Sequence, residues 1–162
     1  MTPDAALAFA PHDHAHCRAE ALARAEALVE AEGLRLTPVR RRTLEILLEA
    51  HEALGAYDVL DRLADDGFAR QPPVAYRALD FLVAHGLAHR IRRINAFAAC
   101  LHPGVAHVPA FLICQSCNAV AEAPGGAVAE ALGAAADAAG FEVARVSVEA
   151  VGLCPACQEA RA

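Results

Sequence analysis

Apolar side chains recur at helical spacing through the first half of the chain, and turn-forming residues divide this pattern into separate helices. The first predicted helix covers residues 18–32 and ends at Gly33. In the second, Thr37 is a favourable N-cap and Pro38 a favourable first residue, and the arginines that follow point outwards. Each helix has one apolar face, formed by Leu22, Ala25, Leu28 and Val29 in the first and by Leu44, Leu47 and Leu48 in the second.

Two further helices follow, and after them the spacing of apolar residues changes from helical to alternating. One covers residues 56–66; the other opens at Pro72 and stops at Gly86, with an apolar stripe of Ala75, Leu79 and Leu82. Residues 88–93 and 96–100 then alternate as two short strands around a turn near Asn95. Helices closed by a hairpin are the plan of a winged helix-turn-helix domain, whose last helix lies in the major groove of DNA while the hairpin touches the backbone.

The second half of the chain has a different pattern. Residues 109–114 and 119–122 read as strands, and Pro-Gly-Gly at 124–126 breaks the chain. An alanine-rich helix over 127–139 ends at Gly140, and residues 141–151 alternate as one long strand. The sequence therefore predicts an α+β protein, with a helical first half and an α/β second half.

Composition and charge narrow the class of partner. The net charge of the 162 residues is −6, but residues 35–95 carry ten arginines against eight acids, whereas both flanking regions are acidic. Because the middle third is basic, the negative net charge does not exclude nucleic acid as a partner. The arginine clusters would also be explained by a helix face and a hairpin that are simply exposed to solvent. No apolar stretch reaches the 18 or so residues of a membrane span, and no secretory signal is evident at the start. We therefore expect a cytoplasmic protein whose six cysteines are reduced.

Four of the cysteines form two matched pairs, Cys114-Gln-Ser-Cys117 and Cys154-Pro-Ala-Cys157, with 36 residues between them. Two such turns supply the four thiolates of a closed, structural zinc site. The gap exceeds the usual spacing of about 15–20 residues, so a folded segment must return the second pair to the first. The alternatives are two disulfides, or redox-active motifs of a thiol oxidoreductase.

The predicted fourth helix presents Tyr76 and Arg77 on its outer face. Arginine is the side chain that most often reads guanine in the major groove, and tyrosine reaches phosphate or a thymine methyl group. Tyr57, at the start of the third helix, and Arg40 or Arg41 on the second complete the expected contact surface for double-stranded operator DNA.

Several segments, in this order, resemble the ferric uptake regulator superfamily: Arg-Leu-Thr-Pro-Val-Arg at 35–40, Ala-Tyr-Asp-Val-Leu at 56–60, Pro-Pro-Val-Ala-Tyr-Arg-Ala-Leu-Asp-Phe-Leu at 72–82, and the paired cysteines. The last helix and the Gly-Leu-Ala-His at 86–89 most resemble the zinc-sensing branch, the zinc uptake regulators. The likeness covers about residues 18–160. One departure is Val74, which replaces the usual threonine at the start of that helix.

The resemblance implies a homodimeric, metal-dependent transcriptional repressor rather than an enzyme, with no small-molecule substrate and no membrane association. It implies a winged-helix DNA-binding domain over 18–100 and an α/β dimerisation domain over 101–162. Residues 1–17, which include the histidine-rich run 12–17, are expected to be disordered. Long strands from two protomers would pair into one sheet.

The resemblance also implies a second, regulatory zinc site formed by His89, Cys100, His107 and Glu122, so that each protomer would hold two zinc ions. One thiolate among these ligands suits zinc better than iron or manganese. His102, two residues after Cys100, could substitute as a ligand. An iron-, manganese- or peroxide-responsive regulator of the same superfamily is the alternative.

Overall fold

The computed structural model describes residues 9, 13–49 and 52–161, and these fall into two compact units: the described residues from 13 to 105, and residues 106–161 together with Phe9. The first unit is four helices and a hairpin; the second is a three-stranded sheet with two helices. The predicted α+β composition is confirmed. No helix in the described part of the chain is both long and apolar enough to cross a membrane.

Helix α1 spans His14–Ala31, so it begins four residues before the predicted start. Asp13 explains the early start, because its carboxylate accepts hydrogen bonds from the backbone N–H groups of Ala15 and His16 at 3.0 and 3.3 Å. The prediction of disorder is therefore wrong for residues 14–17. For residues 1–8 and 10–12 the same prediction lies outside the described residues.

Helices α2 (Pro38–Leu48), α3 (Ala56–Asp65) and α4 (Pro72–Ala84) pack around one apolar core. Each contributes leucines or isoleucines that are almost completely buried: Leu44, Ile46, Leu63, Leu79 and Leu82. The stripe predicted for the fourth helix is buried as expected, which turns the opposite face of α4 outwards.

Strands β1 (Ala88–Ile91) and β2 (Ala96–Ala99) form the antiparallel hairpin, with Ala88 opposite Ala99. Asn95 makes the turn in the left-handed region, at φ 47°, which asparagine tolerates better than most residues. Leu54 forms a two-way backbone bridge with Phe97, at 2.8 and 2.9 Å, and so fixes the hairpin to the segment before α3.

In the second unit, β3 (Pro109–Cys114) is the central strand, β4 (Val120–Pro124) pairs with it antiparallel, and β5 (Val148–Gly152) pairs with it in parallel. Helix α5 (Gly126–Ala138) lies between β4 and β5 in the chain, and a short helix α6 (Pro155–Glu159) follows β5. A parallel pair needs a crossover connection, and α5 belongs to it.

The long strand predicted for residues 141–151 is wrong over its first half, because the strand begins only at Val148. The register gives the reason: Val148 pairs with Ala110 and Gly152 with Cys114, so β5 matches β3 almost end to end. Residues 141–147 precede this ladder and have no strand partner within the described chain.

Candidate metal centres and nucleic-acid interface

Cysteines of both pairs stand at the same end of the β3–β5 ladder. Cys114 is the last residue of β3 and pairs with Gly152, two residues before Cys154. The first pair closes a tight turn, in which the N–H of Asn118 donates to the carbonyl of Cys114 at 3.0 Å and the N–H of Cys114 donates to Ala119 at 2.9 Å. The parallel ladder therefore accounts for the long gap between the two motifs, because the crossover must be completed first.

The four sulfur atoms form one cluster within this unit. All four lie within 4.8 Å of one another, and the Sγ atoms of Cys117 and Cys154 are 3.7 Å apart. A tetrahedral zinc site with Zn–S bonds of about 2.3 Å has S–S edges of about 3.8 Å. None of the four is in a disulfide. The donor type, number and spacing thus fit a structural zinc ion, as the sequence predicts.

The electrostatics of the cluster also favour a cation. Backbone N–H groups of Cys154 and Cys117 donate to the Cys114 sulfur and lower its pKa to about 6. The side chain of Ser116 lowers the pKa of Cys157, but the sulfurs of Cys154 and Cys117 outweigh it and raise that pKa to about 12. A single thiolate, at Cys114, is therefore stable in the cluster without a metal, whereas the loss of a proton from a further cysteine requires a positive ion among the sulfurs.

A low thiol pKa is also what a thiol oxidoreductase requires, but the burial of Cys114 argues against that use. Only 1% of Cys114 is exposed, whereas reactive cysteines are accessible to their partners. The geometry therefore favours metal binding over redox catalysis.

Two of the predicted regulatory ligands lie together in the second unit. Glu122 is on β4, opposite Phe111 of β3, and its Oε1 is 2.7 Å from Nε2 of His107. The Glu122 side chain is only 9% exposed and that of His107 26%. An accessible imidazole beside a largely enclosed carboxylate is suited to binding a metal ion.

The other two predicted regulatory ligands lie together in the first unit, at the open end of the hairpin. His89 is on β1, and Cys100 follows β2, where its N–H donates to the carbonyl of Leu87 at 3.0 Å. Their ligand atoms lie within 4.8 Å of each other. Cys100 is buried, and so is Nε2 of His89. His102 is half-buried and joins none of the clusters of metal-ligating side chains found among the described residues.

The predicted DNA-contacting residues of α3 and α4 face away from the core. Tyr57 is 63% exposed, Tyr76 40%, and Arg77 is also exposed. Helix α3 starts at a tight corner, where the backbone N–H of Gly55 donates to the Asp58 carboxylate at 3.0 Å. This contact fixes the first turn of α3 and with it the position of Tyr57.

The two predicted contacts of α2 already have partners within the unit. The guanidinium carbon of Arg40 lies 3.7 Å from the ring centroid of Phe81, and its Nη1 donates to the carbonyl of Arg35 at 3.0 Å. Arg41 forms ion pairs with Glu26 and with Glu45, the latter at 3.0 Å. Arg40 thus packs α2 against α4, a role that the sequence did not reveal.

Sequence reasoning also missed an ion-pair network centred on Arg42. Its Nε lies 2.6 Å from Asp66 and its Nη1 2.8 Å from Glu49, and Glu49 also pairs with Arg62 at 3.4 Å. Hydrogen bonding to Asp66, opposed by partial desolvation and reinforced by Glu49, raises the pKa of Arg42. The network ties α2 to α3, and only the i+3 and i+7 spacing of Glu45 and Glu49 could have hinted at it.

Known proteins are similar to this chain in sequence and in fold, although no protein-family model matches it. The zinc uptake regulation protein of Escherichia coli strain K12 is 37% identical over 144 residues, which cover 88% of this chain and 84% of that protein. A zinc uptake regulator solved in complex with zinc and DNA is 35% identical, with a TM-score of 0.80 over 89% of this chain and 97% of that one. The crystal structure of holo XcZur is 37% identical, with a TM-score of 0.76 over 90% and 99% of the two chains.

Proposed function

The chain belongs to the family of zinc uptake regulation proteins, and on that premise we propose that it is a zinc-responsive transcriptional repressor. It acts in the cytoplasm as a zinc-loaded homodimer that binds double-stranded operator DNA and controls genes of zinc uptake. It is a regulator rather than an enzyme. The observation that carries the proposal is the four-sulfur cluster with tetrahedral spacing, in a fold shared with a regulator bound to zinc and DNA.

In this proposal each protomer holds two zinc ions. The structural ion is bound by Cys114, Cys117, Cys154 and Cys157, which leave no open coordination position. These thiolates join the end of β3 to the start of α6, so they stabilise the sheet on which the dimerisation domain, residues 101–162, is built. Metal binding of this kind contributes directly to the free energy of folding.

The regulatory ion is bound by His89, Cys100, His107 and Glu122. The support for this set is that each half is prepared within its own unit: His89 and Cys100 at the base of the hairpin, His107 and Glu122 at 2.7 Å. Zinc would supply a fixed tetrahedral junction between these two pairs. The thiolate of Cys100 favours zinc over manganese, and no feature of the described residues favours an iron or peroxide sensor.

The winged-helix domain, residues 18–100, carries the DNA contacts. Arg77 and Tyr76 on α4 reach base edges or phosphates in the major groove, and Tyr57 at the start of α3 contacts the backbone. Arg41 can contact a phosphate only when its ion pairs with Glu26 and Glu45 break. Arg40 supports DNA binding by packing on Phe81, or contacts a phosphate with the edge of its guanidinium group. A homodimer requires a pseudo-palindromic operator.

The change of Cys100 to Ser tests the regulatory half of the proposal. We expect Cys100→Ser to retain one zinc ion per protomer and the dimeric state, but to lose zinc-stimulated operator binding. The reason is that a ligand shifts a conformational equilibrium only by its differential affinity for one form. Zinc content by mass spectrometry, measured before and after mild chelation, and operator binding titrated against free zinc give the two readouts.

Cys17→Ser is the matched control, because it removes a thiol of the first unit that is partly buried and belongs to neither zinc site. It should respond to zinc as the unaltered protein does. If Cys100→Ser repressed with unaltered zinc sensitivity, Cys100 would not be a regulatory ligand, and His102 would be the first replacement to test.

A further inference from the structure

A small apolar cavity adjoins the four-sulfur cluster. Its volume is about 190 Å³, and strands β3 and β5 with the start of the second cysteine pair form its walls through residues 112–114 and 150–154. Leu112 and Val151, which belong to these walls, are unusually exposed for apolar residues of a sheet, at 37% and 42%. The cavity is therefore a patch of apolar surface that reaches the zinc ligands.

The four sulfurs divide into two pairs by their accessibility. Cys114 and Cys154 are buried, with 1% and 6% of their surface exposed, whereas Cys117 is exposed and Cys157 half-buried. The buried pair lines the cavity, and the accessible pair does not. Whatever covers the cavity therefore controls access to Cys114 and Cys154 from that side.

Among the described residues that line the cavity, Phe9 is the one that comes from outside residues 112–114 and 150–154. It groups with residues 106–162 rather than with the helical unit that follows it in the chain. A phenyl ring supplies a large apolar area at a low cost in conformational entropy.

We propose that the side chain of Phe9 covers this cavity and thereby shields the buried pair of zinc ligands. The proposal rests on the assignment of the four cysteines as the structural zinc site. Zinc leaves a thiolate site when protons or a competing chelator reach the sulfurs, so a cover over two of the four ligands slows the exchange. Phe9 then makes the structural ion slow to exchange, while the ion that signals must exchange readily.

The test uses full-length, zinc-loaded protein in which mild chelation has first removed the exchangeable ion. An excess of EDTA is then added, and the loss of the remaining zinc is followed with time. Phe9→Ala should release this zinc about tenfold faster, because exchange requires local opening and the variant lacks the covering ring. Phe9→Leu keeps an apolar cover and should stay within about twofold of the unaltered protein. Ile94→Ala, which truncates an exposed apolar residue of the hairpin turn, should release zinc at the unaltered rate.

Alkylation of the zinc-loaded protein with iodoacetamide, mapped by mass spectrometry, gives a second readout. Phe9→Ala should raise the labelling of Cys114 and Cys154 relative to Cys117 and Cys157. Unaltered zinc release from Phe9→Ala, or from a protein lacking residues 1–12, would overturn the proposal and leave a second copy of the chain as the cover. If the unaltered protein itself held no zinc that resists mild chelation, both this proposal and the structural zinc site would fail together.

Discussion

The two compact units are stabilised in different ways. The helical unit buries several large aliphatic side chains almost completely, among them Leu44, Leu63 and Leu82. Among the described residues 106–161, by contrast, the only side chain that ranks with the largest fully buried ones is that of Cys114, a metal-ligand candidate. The same unit leaves large apolar side chains exposed along α5 and around β5: Leu112, Val128, Leu132, Phe141 and Val151.

This difference indicates that the first unit has a core sufficient for folding, whereas the second needs help. Domains of about 60 residues bury a smaller fraction of their surface and are marginally stable, so a metal, a disulfide or a second subunit adds stability that the core does not supply. A zinc ion bound by the four-sulfur cluster would supply the first kind of help, and a second protomer over the exposed apolar face would supply the third. The proposed function thus assigns DNA binding to the unit stabilised by packing, and dimerisation to the unit that would be stabilised by metal coordination.

Breaking the four-sulfur cluster should have the largest effect on folding and assembly. This effect should be confined to the second unit. Cys154→Ser removes one buried ligand, and structural zinc sites contribute on the order of 10 kcal/mol to folding. We expect a largely zinc-free protein that is monomeric or aggregated, with residues 13–105 still folded. Zinc content, size-exclusion chromatography and hydrogen exchange resolved by region measure the three parts of this outcome.

A stable dimer with full zinc content after the Cys154→Ser change would contradict the assignment of the structural site. Loss of protection across the helical unit as well would contradict the independence of the two units. Cys17→Ser serves again as the control for the removal of a thiol outside both sites.

A cavity in the core of the helical unit should have an intermediate effect. Leu63 is completely buried on α3, and Leu→Ala changes at such positions cost about 2–5 kcal/mol. Denaturant unfolding of Leu63→Ala, followed by helical circular dichroism, should show this loss, while zinc bound to the four cysteines is retained. A cost below about 1 kcal/mol would mean that packing does not carry the stability of this unit.

Removing an exposed side chain should separate function from stability. Arg77→Ala should weaken operator binding by about 1–3 kcal/mol and relax the base preference, with unfolding unchanged. Arg70→Ala, an exposed arginine paired with Asp61, is the matched change of charge, and it should cost at most about 1 kcal/mol on all DNA sequences alike. If Arg77→Ala bound operator DNA and random DNA each with the affinity of the unaltered protein, α4 would not be the helix that reads the operator.

The sequence predicted most of this organisation because the signals were local. The caps and breakers Thr37, Pro38 and Gly86 set the helix limits to within a few residues, and the two cysteine motifs identified the four-sulfur cluster. The membership of the chain in the zinc uptake regulators is likewise confirmed. The regulatory and DNA-contacting residues stay predictions.

The early start of α1 was a local miss, since the Asp13 cap was overlooked, but the other misses were tertiary in origin. An alternating pattern over residues 141–151 gave no sign that β3 offers partners only from Val148 onwards. The sequence suggested that the arginines of α2 contact DNA, but in the structure they contact residues far away in the sequence: Phe81 for Arg40, Glu26 for Arg41 and Asp66 for Arg42. No local rule predicts such pairs.

The parallel pairing of β3 with β5 has a consequence for the order of folding. The hairpin β1–β2 forms from neighbouring residues, on a timescale of about 1–10 μs for such hairpins, whereas β5 reaches β3 only after the crossover through α5 has been ordered. Long-range parallel pairing is slow, and an open strand edge invites aggregation in the interval. We therefore expect newly made chains to pass through a stage in which the helical half is folded while the thiols of the other half have not yet bound metal. Under the proposed function, the supply of zinc at that stage would set how many chains mature, as well as how many later respond.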